Sequence, residues 1–291
     1  MLKERGTIMS KNILISPIVK WVGGKRQLLH EIMPLINKNC STYVEPFVGG
    51  GAVFFDLQPK KAIINDLNEE LINVYLTVRD NTEELIQELE KHHSSNSADY
   101  YYDVRAWDRL PEYDTFSNVK KAARIIYLNK TCYNGLYRVN SAGQFNSPFG
   151  KYKNPNIVNA VTIRAMAKYL QNRDIQILHG DYQDALENVR KGAFVYLDPP
   201  YMPISSSSSF TGYTENGFSF AQQVQLKETC DKLKKKKISF LQSNSDCSTI
   251  RELYDEDGYQ IITVQAKRNI NSNGAKRGDV NEVLIYYAPK K

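Results

Sequence analysis

Ala193-Phe194-Val195-Tyr196-Leu197 runs directly into Asp198-Pro199-Pro200-Tyr201, and the rest of the chain is read outward from this stretch. Five apolar residues bounded by a proline turn fit a short strand buried on both faces, the kind that parallel sheets use. Both prolines fix φ and the first offers no N–H, so the exit from the strand is stiff and rich in carbonyl acceptors. A rigid carboxylate, carbonyls and an aromatic ring suit a flat amine. The exocyclic nitrogen of a nucleobase is a poor nucleophile because its lone pair is delocalised into the ring. Asp198 can accept one of its N–H groups and the Pro199 carbonyl the other, while Tyr201 stacks on the ring; together they favour a pyramidal, attacking nitrogen. Such an amine could take a methyl group from a sulfonium donor by in-line displacement, with neither a metal nor a covalent enzyme intermediate. Asp-Pro alone is also an ordinary strand exit, so the reading rests on the whole tetrapeptide and its place after an apolar run.

Away from this strand the pattern alternates. Residues 42–47 read as a strand entering Val48-Gly49-Gly50-Gly51, and residues 62–64 as a second ending at Asn65-Asp66. Asn68 is placed to cap a helix whose Leu71, Val74, Tyr75 and Val78 follow i, i+3, i+4, i+7 spacing. Asn81, with Glu84 three residues on, predicts a capping box for a further helix carrying Leu85, Ile86 and Leu89. Residues 94–156 turn rich in Tyr, Asn, Arg and Lys, and form the expected insertion. Alternation resumes with a helix at 163–170, strands at 175–178 and 194–197, and a helix at 222–236 with Leu226, Cys230 and Leu233 inward. Strands at 238–242, 260–264 and 282–287 follow. The expectation is an α/β fold with a mostly parallel sheet covered on both faces, residues 1–93 and 157–291 forming one domain and 94–156 another.

The 291 residues carry a formal charge of +6, which is compatible with a polyanionic partner. Cys40, Cys132, Cys230 and Cys247 lack the paired spacing of a zinc site or disulfide framework and read as reduced thiols. No apolar stretch approaches the roughly 20 residues of a membrane span, and Met1 to Asn12 lack the apolar core of a signal peptide, so a soluble cytoplasmic protein is expected. His92-His93 end a charged helical pattern and read as surface histidines; no metal site is expected.

Pro46-Phe47-Val48-Gly49-Gly50-Gly51 is the second chemical signal. Glycines at the carboxyl end of a strand let the backbone approach a ligand, in the crevice where open α/β sheets bind nucleotides. Asp66 ends the next strand, where a carboxylate takes ribose hydroxyls. The spacing is not G-x-G-x-x-G, so it points to an adenosine-containing cofactor without phosphates and away from a nicotinamide oxidoreductase. Trp21-Val22-Gly23-Gly24-Lys25 could pack over such a cofactor and pair with its carboxylate, although a surface turn with a core tryptophan fits these five residues as well.

Taken in order, Trp21 to Lys25, Glu45 to Gly51, Asn65-Asp66, Gly180-Asp181-Tyr182 and Asp198 to Tyr201 resemble the motifs of Dam-type DNA adenine-N6 methyltransferases, alpha-group amino methyltransferases. The resemblance runs from about Pro17 to Tyr286 and is strongest to the modification enzymes of GATC restriction-modification systems. Tyr133 to Asn140 and Phe145 to Tyr152 resemble that family's DNA-reading module. The resemblance implies a Rossmann-like methyltransferase fold with a mainly helical recognition domain inserted at 94–156. It implies S-adenosylmethionine held by Trp21, Lys25, Phe47, Gly49, Gly50 and Gly51, with Asp66 on the ribose, Asp181 and Tyr182 near the adenine, and Asp198 near the methionine amino group. Asp198, Pro199, Pro200 and Tyr201 would orient an adenine flipped out of double-stranded DNA, because its N6 is unreachable while stacked. Lys20 would read the outer guanine, and Leu136, Arg138 and Asn140 the remaining base pairs. Arg or Lys on guanine and Asn on adenine are each worth roughly 1 to 3 kcal/mol of discrimination, and GATC is the expected site. Tyr133, Asn134, Asn146, Lys151 and Tyr152 complete the DNA-binding set. Lys151 stands where relatives carry Arg and loses bidentate geometry, which suits a phosphate contact. A GATC endonuclease would act beside the enzyme without a stable complex.

Three other stretches carry expectations. The serines at 205–209 read as a loop able to close over a flipped base, anchored at 210–213. Residues 234–237, all lysine, complement a helix dipole at a solvated end. Lys267, Arg268, Lys276 and Arg277 flank an Asn-rich loop and suit a phosphate clamp. Methylation of cytosine N4, RNA or a protein amide could use a similar turn but would not need the Dam-like recognition segment. A DNA-binding protein without catalysis would not need Trp21, Asp66 and Asp198.

Overall fold

A computed structural model describes residues 11–203, 218–256, 258–267 and 279–290. In chain order the elements are α1 (Leu29–Ile32), β1 (Tyr43–Glu45), α2 (Ala52–Leu57), β2 (Lys61–Asp66), α3 (Glu69–Asp80), α4 (Thr82–Ser94), α5 (Ala98–Arg105), α6 (Asn118–Thr131), α7 (Ala160–Gln171), β3 (Asp174–His179), β4 (Phe194–Leu197), α8 (Phe220–Lys235), β5 (Ser239–Ser245), α9 (Ser248–Leu253), β6 (Gln260–Lys267) and β7 (Asp279–Tyr287). The strands make one sheet in the order β3-β2-β1-β4-β5-β7-β6, in which β7 runs against its neighbours. From β1 the chain works outward to β2 and β3, then returns to lay β4 against the other side of β1. The crevice at the carboxyl ends of β1 and β4 is therefore a topological switch point, where such sheets hold ligands.

The central strands are buried throughout, as their unbroken apolar runs require. Side chains alternate between faces. Phe194 and Tyr196 join Tyr43, Ile64 and the inward residues of α3, α6 and α7, whereas Val195 and Leu197 join Val44 and the inward residues of α8 and α9. Leu226, Cys230 and Leu233 of α8 all lie in that second layer. The four cysteines are unpaired.

Helix signals hold in one place and fail in another. The Asn68 side chain accepts from Leu71 N at 2.8 Å and starts α3, whose Leu71, Val74, Tyr75 and Val78 are buried as their spacing requires. The capping box expected at Asn81 does not form. A single residue separates α3 from α4, and Asn81 serves α3: its N–H closes onto the Thr77 carbonyl at 2.9 Å, and its side chain makes no cap bond. A capping box does open α8, between Ser219 and Gln222, so that helix starts two residues before Gln222.

His92 is not a surface residue. It is 1% exposed, stacks on Tyr127 with centroids 4.8 Å apart, and has Nδ1 2.8 Å from the Tyr100 hydroxyl. Burial pushes its imidazole down to about 4. The reason is that α5 and α6 fold back over α4, whose last turn looks solvated in isolation; His93 does remain exposed. Ala122, Ala123, Ile125 and Ile126 of α6 share one apolar cluster with α3 and α4. Arg124, wholly buried, binds the Val104 and Arg105 carbonyls at 3.0 and 2.9 Å and Asp108 at 2.7 Å, so its planar fork ties α6 to the end of α5. Beyond α6 the chain turns at Tyr133–Gly135 and makes antiparallel bridges Cys132–Phe149 and Val139–Phe145.

Candidate active site

β4 delivers Asp198 to the carboxyl edge of the sheet, and the proline turn then crosses the end of β5. Met202 N donates to Asn244 Oδ1 at 3.1 Å, Gln223 Nε2 to the Pro200 carbonyl at 3.0 Å, and Asn244 Nδ2 to Gln223 Oε1 at 3.0 Å. Asn244 and Gln223 are fully buried, so this network latches the turn to β5 and α8. Lys25 reaches the same turn. Its Nζ lies 2.9 Å from Asp198 Oδ1, 2.6 Å from the Gly23 carbonyl and 4.7 Å from the centroid of the Tyr201 ring. Burial raises the Asp198 carboxyl, the Lys25 ammonium opposes that rise, and Glu282 adds to it. The Tyr201 hydroxyl donates to Glu282 Oε2 at 2.7 Å; burial, with Asp198 and Glu282 nearby, holds this phenol well above its ordinary range. Behind the turn, buried Glu45 accepts from the Tyr43 hydroxyl at 2.7 Å, and burial pushes its carboxyl well up.

The glycine loop after β1 forms the floor of the crevice. Gly49 and Gly51 have φ of +49° and +72°, and a Cβ on Gly51 would meet Phe55 and the Tyr75 hydroxyl at 2.8 Å, so a larger residue would strain the loop twice over. Asp66 Oδ2 accepts from Gly49 N and Oδ1 from Asn68 N, each at 2.9 Å, which partly offsets the rise that burial imposes on this carboxyl. Trp21 packs over Gly49 and Gly50 and stacks on Tyr137, with centroids 4.6 Å apart. Phe47 stacks on Tyr182 at 5.1 Å and meets Phe218 edge-on at 6.1 Å. Asp181 is exposed and accepts from Gln183 N. Buried Asn65 bridges the Pro46 and Gly180 carbonyls, and among the described residues its Oδ1 has no partner. A carboxylate beside a glycine cradle, flanked by aromatic rings, fits an adenosine-bearing cofactor.

The segments expected to read DNA meet at the end of α6. Asn129, 2% exposed, accepts from Lys20 N at 2.7 Å and donates to the carbonyls of Lys20 and Gly135 at 2.8 and 3.1 Å. The Lys20 stem lies against Gly135, where a Cβ would come within 2.6 Å of Lys20 Cδ. Asn134 adopts φ +60° and its N–H donates to the Tyr152 hydroxyl at 3.0 Å. Leu136 is half-buried, while Tyr133, Arg138, Lys151 and Tyr152 are exposed. Arg138 Nε donates to Asn146 Oδ1 at 2.7 Å across the hairpin. Asn140 spends its amide on the hairpin tip: Oδ1 accepts from Ala142 N and Gln144 N, and Nδ2 donates to Gln144 Oε1. Tyr137 joins the 133–152 segment to the crevice, its hydroxyl lying 2.8 Å from Glu70 Oε2 and 3.4 Å from Asn68 Nδ2.

Gln223, Asn244, Glu282, Asn129 and Phe218 belong to no chemical motif of the sequence, and Tyr137 carries no role of its own there. One signal was there: Gln242-Ser243-Asn244-Ser245 continues an apolar strand with polar residues, a pattern that marks an interior strand reaching a site. The serine loop at 205–209 with its anchor at 210–213, Arg268, Lys276, Arg277 and the side chain of Lys267 lie outside the described residues. Among the described residues no group of three or more His, Cys, Asp or Glu is placed to hold a metal, and no helix is long and apolar enough to cross a membrane.

A mostly parallel seven-stranded sheet with one reversed strand, a glycine loop after β1 and Asp-Pro-Pro-Tyr after β4 defines a Rossmann-like methyltransferase fold. The chain belongs to the D12 class N6 adenine-specific DNA methyltransferase family, which it matches over residues 21–270. It is 44% identical to the Type II methyltransferase M1.LlaDCHI of Lactococcus lactis subsp. cremoris over 279 residues, 96% of this chain and 98% of that one. The Type II methyltransferase M.MjaIII of Methanocaldococcus jannaschii is 41% identical, covering 93% and 98% of the two chains. The DNA adenine methylase of Escherichia coli K12 is 36% identical over 93% of this chain and 95% of its own. The protein is thus an adenine-specific DNA methyltransferase, and its family implies S-adenosylmethionine as methyl donor.

Proposed function

We propose that this enzyme methylates adenine N6 within double-stranded GATC, on a base flipped into the crevice beside Asp198, and that residues 94–156 act as its recognition module. The observation that carries the reading is the joint seating of Asp198, Lys25 and Tyr201 at the mouth of the glycine crevice. Trp21, Phe47, the Gly49–Gly51 loop, Asp66, Asp181 and Tyr182 would hold the cofactor. Bound there, S-adenosylmethionine supplies an electrophilic sulfonium methyl group. Asp198 and the Pro199 carbonyl accept the two N6–H groups and direct the nitrogen lone pair along the line of attack. Tyr201 presents a ring face that replaces the stacking the base has left. The proton shed after transfer passes to Asp198 or to solvent.

Lys20, Leu136, Arg138 and Asn140 support the GATC assignment through the resemblance and the pairing rules of base edges. The names of two relatives, both Type II methyltransferases, support a role in protecting cytoplasmic DNA from an endonuclease of matching site. The test is transfer of label from S-adenosylmethionine to matched duplexes bearing one GATC, one GTTC, or GATC already N6-methylated on both strands. Label on GATC alone, recovered as N6-methyladenine, is the expected result. Equal labelling of all three discards the site; no label on any DNA discards the reading and turns attention to RNA or protein amides.

A further inference from the structure

We propose that Glu282 is a positioning residue for methyl transfer, acting through the Tyr201 hydroxyl; this rests on the reading of Tyr201 as the surface on which the target adenine stacks. Topology explains how a residue so late in the chain arrives there. Because β7 runs against its neighbours, its first half lies at the edge where β4 and β5 end. Glu282 pairs with Ser245, the last residue of β5, on one side and with Val264 of β6 on the other. One strand, β5, separates it from β4. The proline turn closes that gap by crossing the end of β5, where Asn244 holds Met202, and it sets the Tyr201 hydroxyl 2.7 Å from Glu282 Oε2.

Two contacts then restrict the ring in different ways. The Lys25 ammonium, 4.7 Å from the ring centroid, occupies one face, so a base would stack on the other. Glu282 grips the far end of the ring, and a hydrogen bond to a charged acceptor is stronger than a neutral one, so it limits the swing about the side-chain torsions. A stacking surface held at both its face and its tip needs no reorganisation when the base arrives. The part of the Glu282 contribution made through the ring is conditional on the Tyr201 oxygen, whereas its through-space effect on the Asp198 carboxyl is not, so a double-variant cycle separates the two.

The test is single-turnover methylation of a GATC duplex by the full chain, comparing wild type with Glu282→Ala, Glu282→Gln, Tyr201→Phe, Tyr201→Ala and the Glu282→Ala/Tyr201→Phe double variant. Glu282→Ala should slow transfer roughly tenfold or more without changing cofactor affinity, as expected for loss of a charge-assisted hydrogen bond. Glu282→Gln keeps an acceptor oxygen and should recover most of the rate. Tyr201→Phe should reproduce the alanine loss, with the double variant no slower than either single. Multiplying losses in the double variant, or a wild-type rate for Glu282→Ala, would overturn the proposal. If Glu282→Ala does not fold, Glu282→Leu, which also removes the acceptor, replaces it in the same cycle. A Tyr201→Ala variant as fast as wild type would instead remove the stacking reading and the proposal with it, whereas a slow Tyr201→Ala with an uncoupled Glu282 overturns the proposal alone.

Discussion

Truncating Asn129 to alanine would release the two segments that Asn129 ties together. The side chain makes three hydrogen bonds, to the Lys20 N–H and carbonyl and to the Gly135 carbonyl, at 2.7, 2.8 and 3.1 Å. Each such bond contributes about 1 kcal/mol net, and a buried partner left unsatisfied costs about 1 to 3 kcal/mol. Water can reach the Lys20 backbone, whose side chain is exposed, but less readily the buried Gly135 carbonyl. The expected destabilisation is therefore about 2 to 4 kcal/mol, or a fall in Tm of roughly 4 to 10 °C for a chain of this size. The functional effect should be more specific. The Lys20 stem rests on Gly135, so losing the clamp frees Lys20 relative to the Tyr133–Gly135 turn. If Lys20 reads the outer guanine, discrimination against duplexes altered there should drop by about 5- to 150-fold, the value of one good base contact. Thermal unfolding gives the first quantity, and methylation rates on GATC and on a duplex lacking that guanine give the second. A variant that melts lower yet discriminates as well as wild type would refute the link between the clamp and base reading.

Replacing Lys25 with methionine removes the cation that opposes the burial-driven rise of the Asp198 carboxyl. Asp198 accepts an N6–H most strongly when ionised, so the acid limb of the pH–rate profile should move to higher pH, with partial recovery of rate in alkaline buffer; an unmoved limb would mean that Asp198 is not the titrating group. His92 is held neutral down to about 4, against an ordinary value of 6.5. The unfolded chain then takes up the proton first, so its contribution is complete above 6.5 and is lost as pH falls toward 4, by about 3 kcal/mol at about 1.4 kcal/mol per pH unit. His92→Phe, which can keep the stack on Tyr127, should flatten denaturant-measured stability across that window.

Local chemistry was legible because it is written contiguously. An apolar run ending in Asp-Pro-Pro-Tyr dictates a buried strand and a stiff exit whatever surrounds it, and a glycine loop after a strand must bring the backbone close to something. Spacing alone also placed the α3 cap and the inward face of α8, since both depend on residues within one or two turns. What packs over a helix is not written in that helix, and so the charged pattern that ends at His92 predicts an exposed residue where α5 and α6 in fact cover it.

The sequence by itself determined the alternation that makes the sheet, the crevice motifs and the family to which the chain belongs. Only the tertiary structure decided which distant residues serve those motifs: Asn129 holding Lys20 from 109 residues away, Lys25 against Asp198, and Glu282 on Tyr201 across 81 residues. The physical reason is that hydrophobic periodicity and turn chemistry act over a few residues, whereas the last two pairs exist because β4 lies beside β1 and β7 enters the sheet reversed, and the first because α6 packs back onto the segment before β1; no local pattern records where distant elements will meet.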